Sequence, residues 1–230
     1  MLTLDNLRID QGDFHLAANL TVPTGARVAV IGPSGAGKST LLSVIAGFFD
    51  PSGGRVLWNG ADITDAAPGA RPVAMLFQDN NLFPHLTVTQ NVGLGLRPDL
   101  RLDAGDTRHV ARALDRVGLT GMGARRPAAL SGGQQSRVAL ARVLVQDRPL
   151  VLLDEPFAAL GPALKREMLD LVAALLEGSG ATLLMVSHDP ADARRIAPHT
   201  VLVARGQALP PQDTATLLDN PPPALRAYLG

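Results

Sequence analysis

Residues 2–9 and 14–22 alternate apolar and polar side chains, and Gln11-Gly12-Asp13 separates the two runs. Period-two alternation puts every second side chain on one face, so the pair predicts an antiparallel hairpin with one buried surface. The pattern then changes. Val28–Ile31, Val73–Phe77, Leu150–Leu153 and Ala181–Val186 are apolar at nearly every position, as strands buried on both faces are. Gly53-Gly54 opens a further strand over Arg55–Asn59, closed by a turn at Asn59-Gly60. Pro68 to Pro72 reads as loop, and Val201–Ala204 closes the sheet region.

Helical spacing fills the gaps between these runs. Leu41, Leu42, Ile45 and Ala46 follow the first buried strand. Thr87 stands as a cap before Val88, Val92 and Leu96. Asp103 to Val117 carries Val110, Ala113, Leu114 and Val117 on one face. A helix starting near Gln134 carries Val138, Ala139, Ala141 and Val145; Pro162–Glu177 has proline in its first turn and Gly178 and Gly180 to stop it. Asp189–Ala197 is short, and Pro210-Pro211 and Pro221-Pro222-Pro223 belong to a tail. Buried strands alternating with helices predict an α/β domain with a mainly parallel core sheet and an antiparallel N-terminal part. The stretch 79–128 reads as a helical insertion between two core strands, marked at its start by Asp79-Asn80-Asn81 and Pro84 and at its end by Arg125-Arg126-Pro127. No internal repeat is visible.

Composition narrows the class. A chain of 230 residues fits one large domain or one domain with a subdomain, and buries enough surface to need no staples. Lys+Arg and Asp+Glu both total 21, with no block of like charge, which disfavours nucleic acid as the main partner. There is no cysteine, so disulfides and thiolate metal sites are ruled out. Met1-Leu2-Thr3-Leu4-Asp5 has no basic segment followed by an apolar one, and no apolar run has the length to span a bilayer. The expectation is a soluble protein whose membrane role, if any, comes through a partner.

One stretch carries specific chemistry. Gly32-Pro33-Ser34-Gly35-Ala36-Gly37-Lys38-Ser39-Thr40 lies between a buried strand and a helix, the context a phosphate-binding loop requires. Its glycines let successive N–H groups point at one anion, and the helix adds the positive end of its dipole. Lys38 is expected to reach the β- and γ-phosphates of a nucleoside triphosphate, and Ser39 to hold Mg²⁺ through its hydroxyl. Four core strands end in polar residues, at Gly32, Gln78, Asp154-Glu155 and His188. Ligands of open α/β sheets bind outside the carboxyl ends of strands, so these ends converge on the γ-phosphate. Asp154 is assigned to the metal, mostly through water, and Glu155 to the general base for the attacking water. Gln78 is expected to touch Mg²⁺ and that water, and His188 to donate to the γ-phosphate. Ser131-Gly132-Gly133 forms a second anion-type feature at a helix N-terminus.

Gly32–Thr40, Gln78, Leu130-Ser131-Gly132-Gly133-Gln134, Leu150–Glu155 and His188, in this order, resemble the nucleotide-binding subunit of ABC transporters over nearly the whole chain. The resemblance implies a P-loop cassette spanning 1–230: a RecA-like core with an antiparallel β-subdomain over about 1–78 and 129–230, and a helical signature subdomain over about 79–128. It implies two ATP molecules sandwiched in a head-to-tail homodimer, where Ser131, Gly132, Gly133 and Gln134 of one copy close on the γ-phosphate held by Lys38 of the other. It also implies two membrane-spanning permease subunits, a periplasmic solute-binding protein reached through them, and a peripheral place on the cytoplasmic face of the bacterial inner membrane. The run Met75 to Leu96 is similar to the ATPases of bacterial thiamine importers, whose loop here meets the membrane subunit. Leu82, Phe83 and Leu86 suit such a contact and equally suit packing within the helical subdomain.

The chain departs from the family in three places. Ala158-Ala159-Leu160-Gly161 stands where Ser-Ala-Leu-Asp is usual, and loss of the Asp implies weaker communication between the two sites. Gln11 stands near the place of an adenine-stacking aromatic, with Phe14 the nearest ring, which leaves stacking open. Ser136 replaces a common Gln, with no consequence legible from sequence. The rival readings are an importer ATPase for an oxyanion, iron or a polyamine; a soluble ABC-type ATPase of translation or repair; and a simple P-loop kinase. The single cassette, short insertion and second anion motif weigh against the last two.

Overall fold

Eleven strands join into one sheet in the computed structural model, which describes residues 1–229. The strands are β1 (Leu2–Gln11), β2 (Phe14–Val22), β3 (Arg27–Ile31), β4 (Gly53–Trp58), β5 (Ala61–Asp62), β6 (Val73–Leu76), β7 (Leu150–Asp154), β8 (Thr182–Val186), β9 (His199–Ala204), β10 (Gln207–Ala208) and β11 (Gln212–Asp213). The helices are α1 (Lys38–Ala46), α2 (Val88–Gly93), α3 (Ala104–Arg116), α4 (Gly132–Leu144), α5 (Pro162–Leu176), α6 (Pro190–Ile196), α7 (Thr214–Asp219) and α8 (Pro223–Leu229). The order across the sheet is β5-β4-β1-β2-β10-β9-β3-β8-β7-β6, with β11 pairing β9.

The half from β9 to β6 is parallel throughout, with β3, β8, β7 and β6 as consecutive neighbours. Its strands are buried on both faces, which is why their sequences lack alternation. Alternate residues serve two cores: Ala29, Ile31, Val151, Leu153, Leu183 and Met185 join one cluster with α2 to α6, while Val28, Val30, Leu150, Leu152, Leu184 and Val186 join a second with α1 and the hairpin. The half from β5 to β2 is antiparallel. Leu2 and Leu4 face the core, as do Leu7 and Ile9, although the two pairs are out of phase. A bulge between Leu4 and Leu7, with Asn6 at φ 49°, resets the phase.

The helices begin where the residues dictate. Thr87 with Gln90 and Asp103 with Asp106 each form a reciprocal capping box at α2 and α3. Helix α2 stops at Gly93, so Leu96 lies beyond it, packed against the helical cluster. The tail does more than its prolines announce. Arg205 and Gly206 both have positive φ and turn β9 back into β10, which also pairs in parallel with β2 and so joins the two halves of the sheet. Among the described residues no helix is long and apolar enough to cross a membrane.

Arg71 is 1% exposed and ties the C-terminus of α1 to the chain entering β6. Its Nη1 donates to the carbonyls of Val44 (2.8 Å) and Ile45 (2.9 Å), its Nε to Ala66 (2.8 Å) and its Nη2 to Thr64. The last carbonyls of a helix have no partner within it, and this guanidinium supplies one. Arg71→Ala is expected to lower the unfolding free energy by about 2–4 kcal/mol, because buried carbonyls lose a charged donor. Urea denaturation checks this; a loss below about 0.5 kcal/mol, the level of a neutral surface change, would contradict it.

Candidate active site

The carboxyl ends of β3, β8, β7 and β6 lie level. Val30 pairs with Val186, Asp154 with Val186, and Leu76 with Leu153. The segments leaving these strands at Gly32, Ser187-His188, Glu155 and Gln78 therefore open on one edge.

At β3 the chain passes through Gly32, against the backbone of β9: a Cβ there would lie 1.9 Å from the Val203 carbonyl oxygen. It then loops to Gly37, the N-cap of α1, at φ 97°. The first turn of α1 carries no acidic residue, and the cap offers no side chain. Its N–H groups are thus left for an external anion. Lys38 is 6% exposed and its Nζ donates to the carbonyls of Gly32 (2.8 Å) and Pro33 (2.9 Å). Burial draws the ammonium below its ordinary pKa, while Glu155 and Asp154 pull it back up. Ser39 donates its hydroxyl to Asp154 Oδ1 at 2.9 Å. Asp154 is 6% exposed. Burial raises its carboxyl above the usual carboxylate range, the Ser39 hydroxyl opposes this, and the charge of Glu155 adds to it.

Glu155 turns out of the strand at φ 44°, a region that side chains enter rarely. Its Oε2 meets His188 Nδ1 at 3.1 Å. A cavity of about 400 Å³ lies over the loop, walled by Ser34, Gly35, Gly37 to Thr40, Gln78 and Glu155, with Gln11 and Phe14 on the hairpin side. The Phe14 ring rests on Gly37, where a Cβ would come within 2.4 Å of Phe14 Cζ. His188 sits outside this cavity, beside a second small pocket with Glu155.

Sequence reasoning missed the supports beneath His188. Lys165 Nζ bonds Asp192 Oδ2 (2.6 Å) and Asp189 Oδ2 (3.1 Å), and Ser187 Oγ donates to Asp192 Oδ2 (2.5 Å). Tyr228 in α8 donates to the His188 carbonyl. The sequence marks only a short helix over Asp189–Ala197 there, and the structure adds that Asp189 caps it.

Ser131 to Gln134 do not line the cavity. Helix α4 starts at Gly132, two residues before the expected position. The reason is a third capping box: Gln134 N donates to Ser131 Oγ (3.3 Å), and Ser131 N to Gln134 Oε1 (3.0 Å). Gly132 and Gly133 fall in the first turn, where N–H groups have no partner within the helix. Ser131 and Gly132 are exposed. Of the three apolar residues after Gln78, Leu82 packs on the helical cluster and Phe83 is 46% exposed. Asn91 holds that loop through Phe83 N (2.8 Å) and the carbonyls of Phe83, Leu86 and Thr87.

A buried lysine, a glycine-rich helix start and an acidic strand end on one edge of a parallel sheet define a P-loop nucleotide-binding site. Residues 16–158 match the ABC transporter family model, and the chain belongs to that family. It is 62% identical, over all 230 residues and the whole length of both chains, to the thiamine import ATP-binding protein ThiQ of Cereibacter sphaeroides. Among solved structures it is similar to cbiO1 of Clostridium perfringens, described as part of the ABC transporter complex cbiONQ, with TM-score 0.84, 29% identity, and 95% and 90% of the two chains covered. It is also similar to the ATP-binding cassette MJ0796 in a dimeric post-hydrolysis state bound to ADP and Pi, with TM-score 0.79 and 28% identity, covering 93% of this chain.

Gly37→Ala is expected to weaken ATP binding at least about tenfold, since a left-handed alanine costs roughly 1–2 kcal/mol before its contact with Phe14 is counted. Equilibrium binding of a fluorescent ATP analogue measures this, and affinity within twofold of the parent would contradict it.

Proposed function

We propose that this chain energises thiamine uptake, as the ATP-hydrolysing subunit of a bacterial ABC importer. It acts as a homodimer on two membrane-spanning permease subunits at the cytoplasmic face of the inner membrane, supplied by a periplasmic solute-binding protein. The observation that carries the cargo is the full-length 62% identity to a thiamine import ATP-binding protein. The chemistry is carried by the shared edge of β3, β8, β7 and β6.

Lys38 leaves the Gly32 and Pro33 carbonyls for the β- and γ-phosphates, and the N–H groups of Gly35 to Thr40 surround them. The residues fit Mg²⁺: the Ser39 hydroxyl and Asp154 carboxylate offer oxygen donors 2.9 Å apart, and Mg²⁺ commonly takes one or two carboxylates plus substrate phosphates. When bound, Mg²⁺ neutralises charge on the β- and γ-oxygens. Glu155 takes the proton of the attacking water. His188, bonded to Glu155, donates to the γ-phosphate, and Gln78 orients the water and meets the metal. Phe14 is the hairpin ring available to adenine. Ser131, Gly132 and Gly133 complete the site of the partner protomer, a reading supported by the exposure of Ser131 and Gly132. Gln134 acts by fixing that tip through its cap. Residues 79–128 form the helical subdomain and present Phe83 to the permease.

Glu155→Gln is expected to cut turnover by roughly 10²–10⁴ while ATP binding survives. Steady-state hydrolysis close to the parent rate would remove Glu155 from the role of base. Reconstituted with its permease and binding protein, the complex should show ATPase stimulation by thiamine or its phosphates and none by oxyanions, iron or polyamines; the reverse pattern would overturn the cargo.

Gly161 caps α5 without a side chain, and an added Cβ there meets nothing within 4 Å. Gly161→Asp should therefore fold normally and raise the cooperativity of ATP hydrolysis. An unchanged Hill coefficient would refute the proposed weakening of communication between sites.

A further inference from the structure

The chain has a single tyrosine, Tyr228, and its hydroxyl donates to the backbone carbonyl of His188. His188 leaves β8 between two fixed neighbours. Before it, Ser187 N donates to the Val30 carbonyl at 3.2 Å, and the Ser187 hydroxyl is tied to Asp192. After it, Asp189 caps α6 and sets its own N–H on Ser187 Oγ at 3.1 Å. His188 itself is exposed, so burial does little to hold it. Helix α8, which brings Tyr228, is firmly seated. Leu225 is fully buried in the same core as Leu202 of β9 and Leu217 and Leu218 of α7, and the Tyr228 ring packs on that core. The Pro222 carbonyl accepts from Leu225 N (2.9 Å) and Arg226 N (2.8 Å), and the run Pro221-Pro222-Pro223 restricts the chain entering the helix. Burial, with the charges of Glu155 and Asp189 beside it, raises the phenol above its ordinary pKa and keeps it a donor.

We propose that Tyr228 is a positioning residue for the hydrolytic step: through the His188 carbonyl, α8 fixes the backbone of His188 and so aims its imidazole. The carbonyl is part of the rigid peptide plane that joins His188 to Asp189. Holding that plane fixes ψ of His188, and the rotamers open to a side chain depend on its backbone dihedrals. The ring is thereby left where Nδ1 lies 3.1 Å from Glu155 Oε2. With the backbone already ordered, the approach of the ring to a γ-phosphate needs rotation about side-chain bonds alone. Without the Tyr228 hydroxyl the peptide plane turns more freely, and the imidazole spends less time aimed at the reacting edge. Nucleotide affinity is set elsewhere, by the loop around Lys38, so the effect falls on turnover.

This inference rests on the role proposed above for His188. Its test uses the full-length protein with Tyr228→Phe, which keeps the ring and its packing and loses only the hydroxyl. Steady-state ATPase activity and the affinity for a fluorescent, non-hydrolysable ATP analogue are measured beside His188→Gln and the double variant. Tyr228→Phe should lower kcat by about 2–10-fold, the worth of one hydrogen bond, with nucleotide affinity within twofold of the parent. In the His188→Gln background the same change should cost less than twofold, because the tyrosine acts through the histidine. A second readout reports on the ring itself. In the proton–nitrogen spectrum of the five histidines, the His188 imidazole, identified by its loss in His188→Gln, should shift in Tyr228→Phe while the others stay in place. A parental kcat in Tyr228→Phe, a matching fall in nucleotide affinity, effects that multiply in the double variant or an unmoved His188 resonance would each overturn the proposal. A parental kcat in His188→Gln would defeat the reading of His188 at the γ-phosphate, and this inference with it; a slow His188→Gln beside an unimpaired Tyr228→Phe would defeat this inference alone.

Discussion

The register of four parallel strands governs everything else in this molecule. Val30, Val186 and Asp154 lie side by side, with Leu76 one residue back, and each strand then releases its chain at the same edge. A slip of one residue in β7 would exchange its two faces, driving Leu150 and Leu152 into the wrong core and turning Asp154 away from Ser39. Burial on both faces forbids that slip. The two hydrophobic cores thus place the acidic pair, the phosphate loop and the His188 segment with a precision that no single hydrogen bond among them supplies.

The site is polar and partly buried, and its charged groups find partners within the chain. Lys38 is buried and draws on two loop carbonyls, and Asp154 takes the Ser39 hydroxyl. A buried ammonium or carboxylate without partners would cost several kcal/mol. On the proposed reading, phosphate and metal engage these same groups, and binding exchanges one set of polar partners for another. Glu155 and His188 hold each other at the mouth, and the Lys165–Asp192–Ser187 cluster and Tyr228 hold the His188 segment from below. Chemistry sits on the edge, and its supports come from α5, α6 and α8.

What could be read from sequence was what depends on local spacing. The hairpin, the buried runs, the phosphate loop and the cap at Thr87 are all set by residues within a few positions of each other, and the structure has them as expected. The rest depends on contacts across the fold. Arg71 looks like any surface arginine until α1 ends over it. Strand β10 is two residues long and exists because β2 and β9 both offer it an edge. The start of α4 was misplaced because Gly132 and Gly133 have poor helix propensity, and the reciprocal bonds of Ser131 and Gln134 outweigh that. Tyr228 reaches His188 from 40 residues away, a pairing that no periodicity announces.

The central claim is that each nucleotide is held between two chains, Lys38 from one and the Ser131 tip from the other. Mixing two inactive variants tests it most directly. Lys38→Ala lacks the phosphate lysine, and Ser131→Arg blocks the tip. In a mixed dimer, one site pairs an intact Lys38 with an intact Ser131 contributed by the other chain. The account predicts that ATPase activity, absent from each variant alone, returns on mixing to roughly one quarter of the parent value, from random pairing and one complete site in two. No recovery on mixing, with dimers formed, would contradict it.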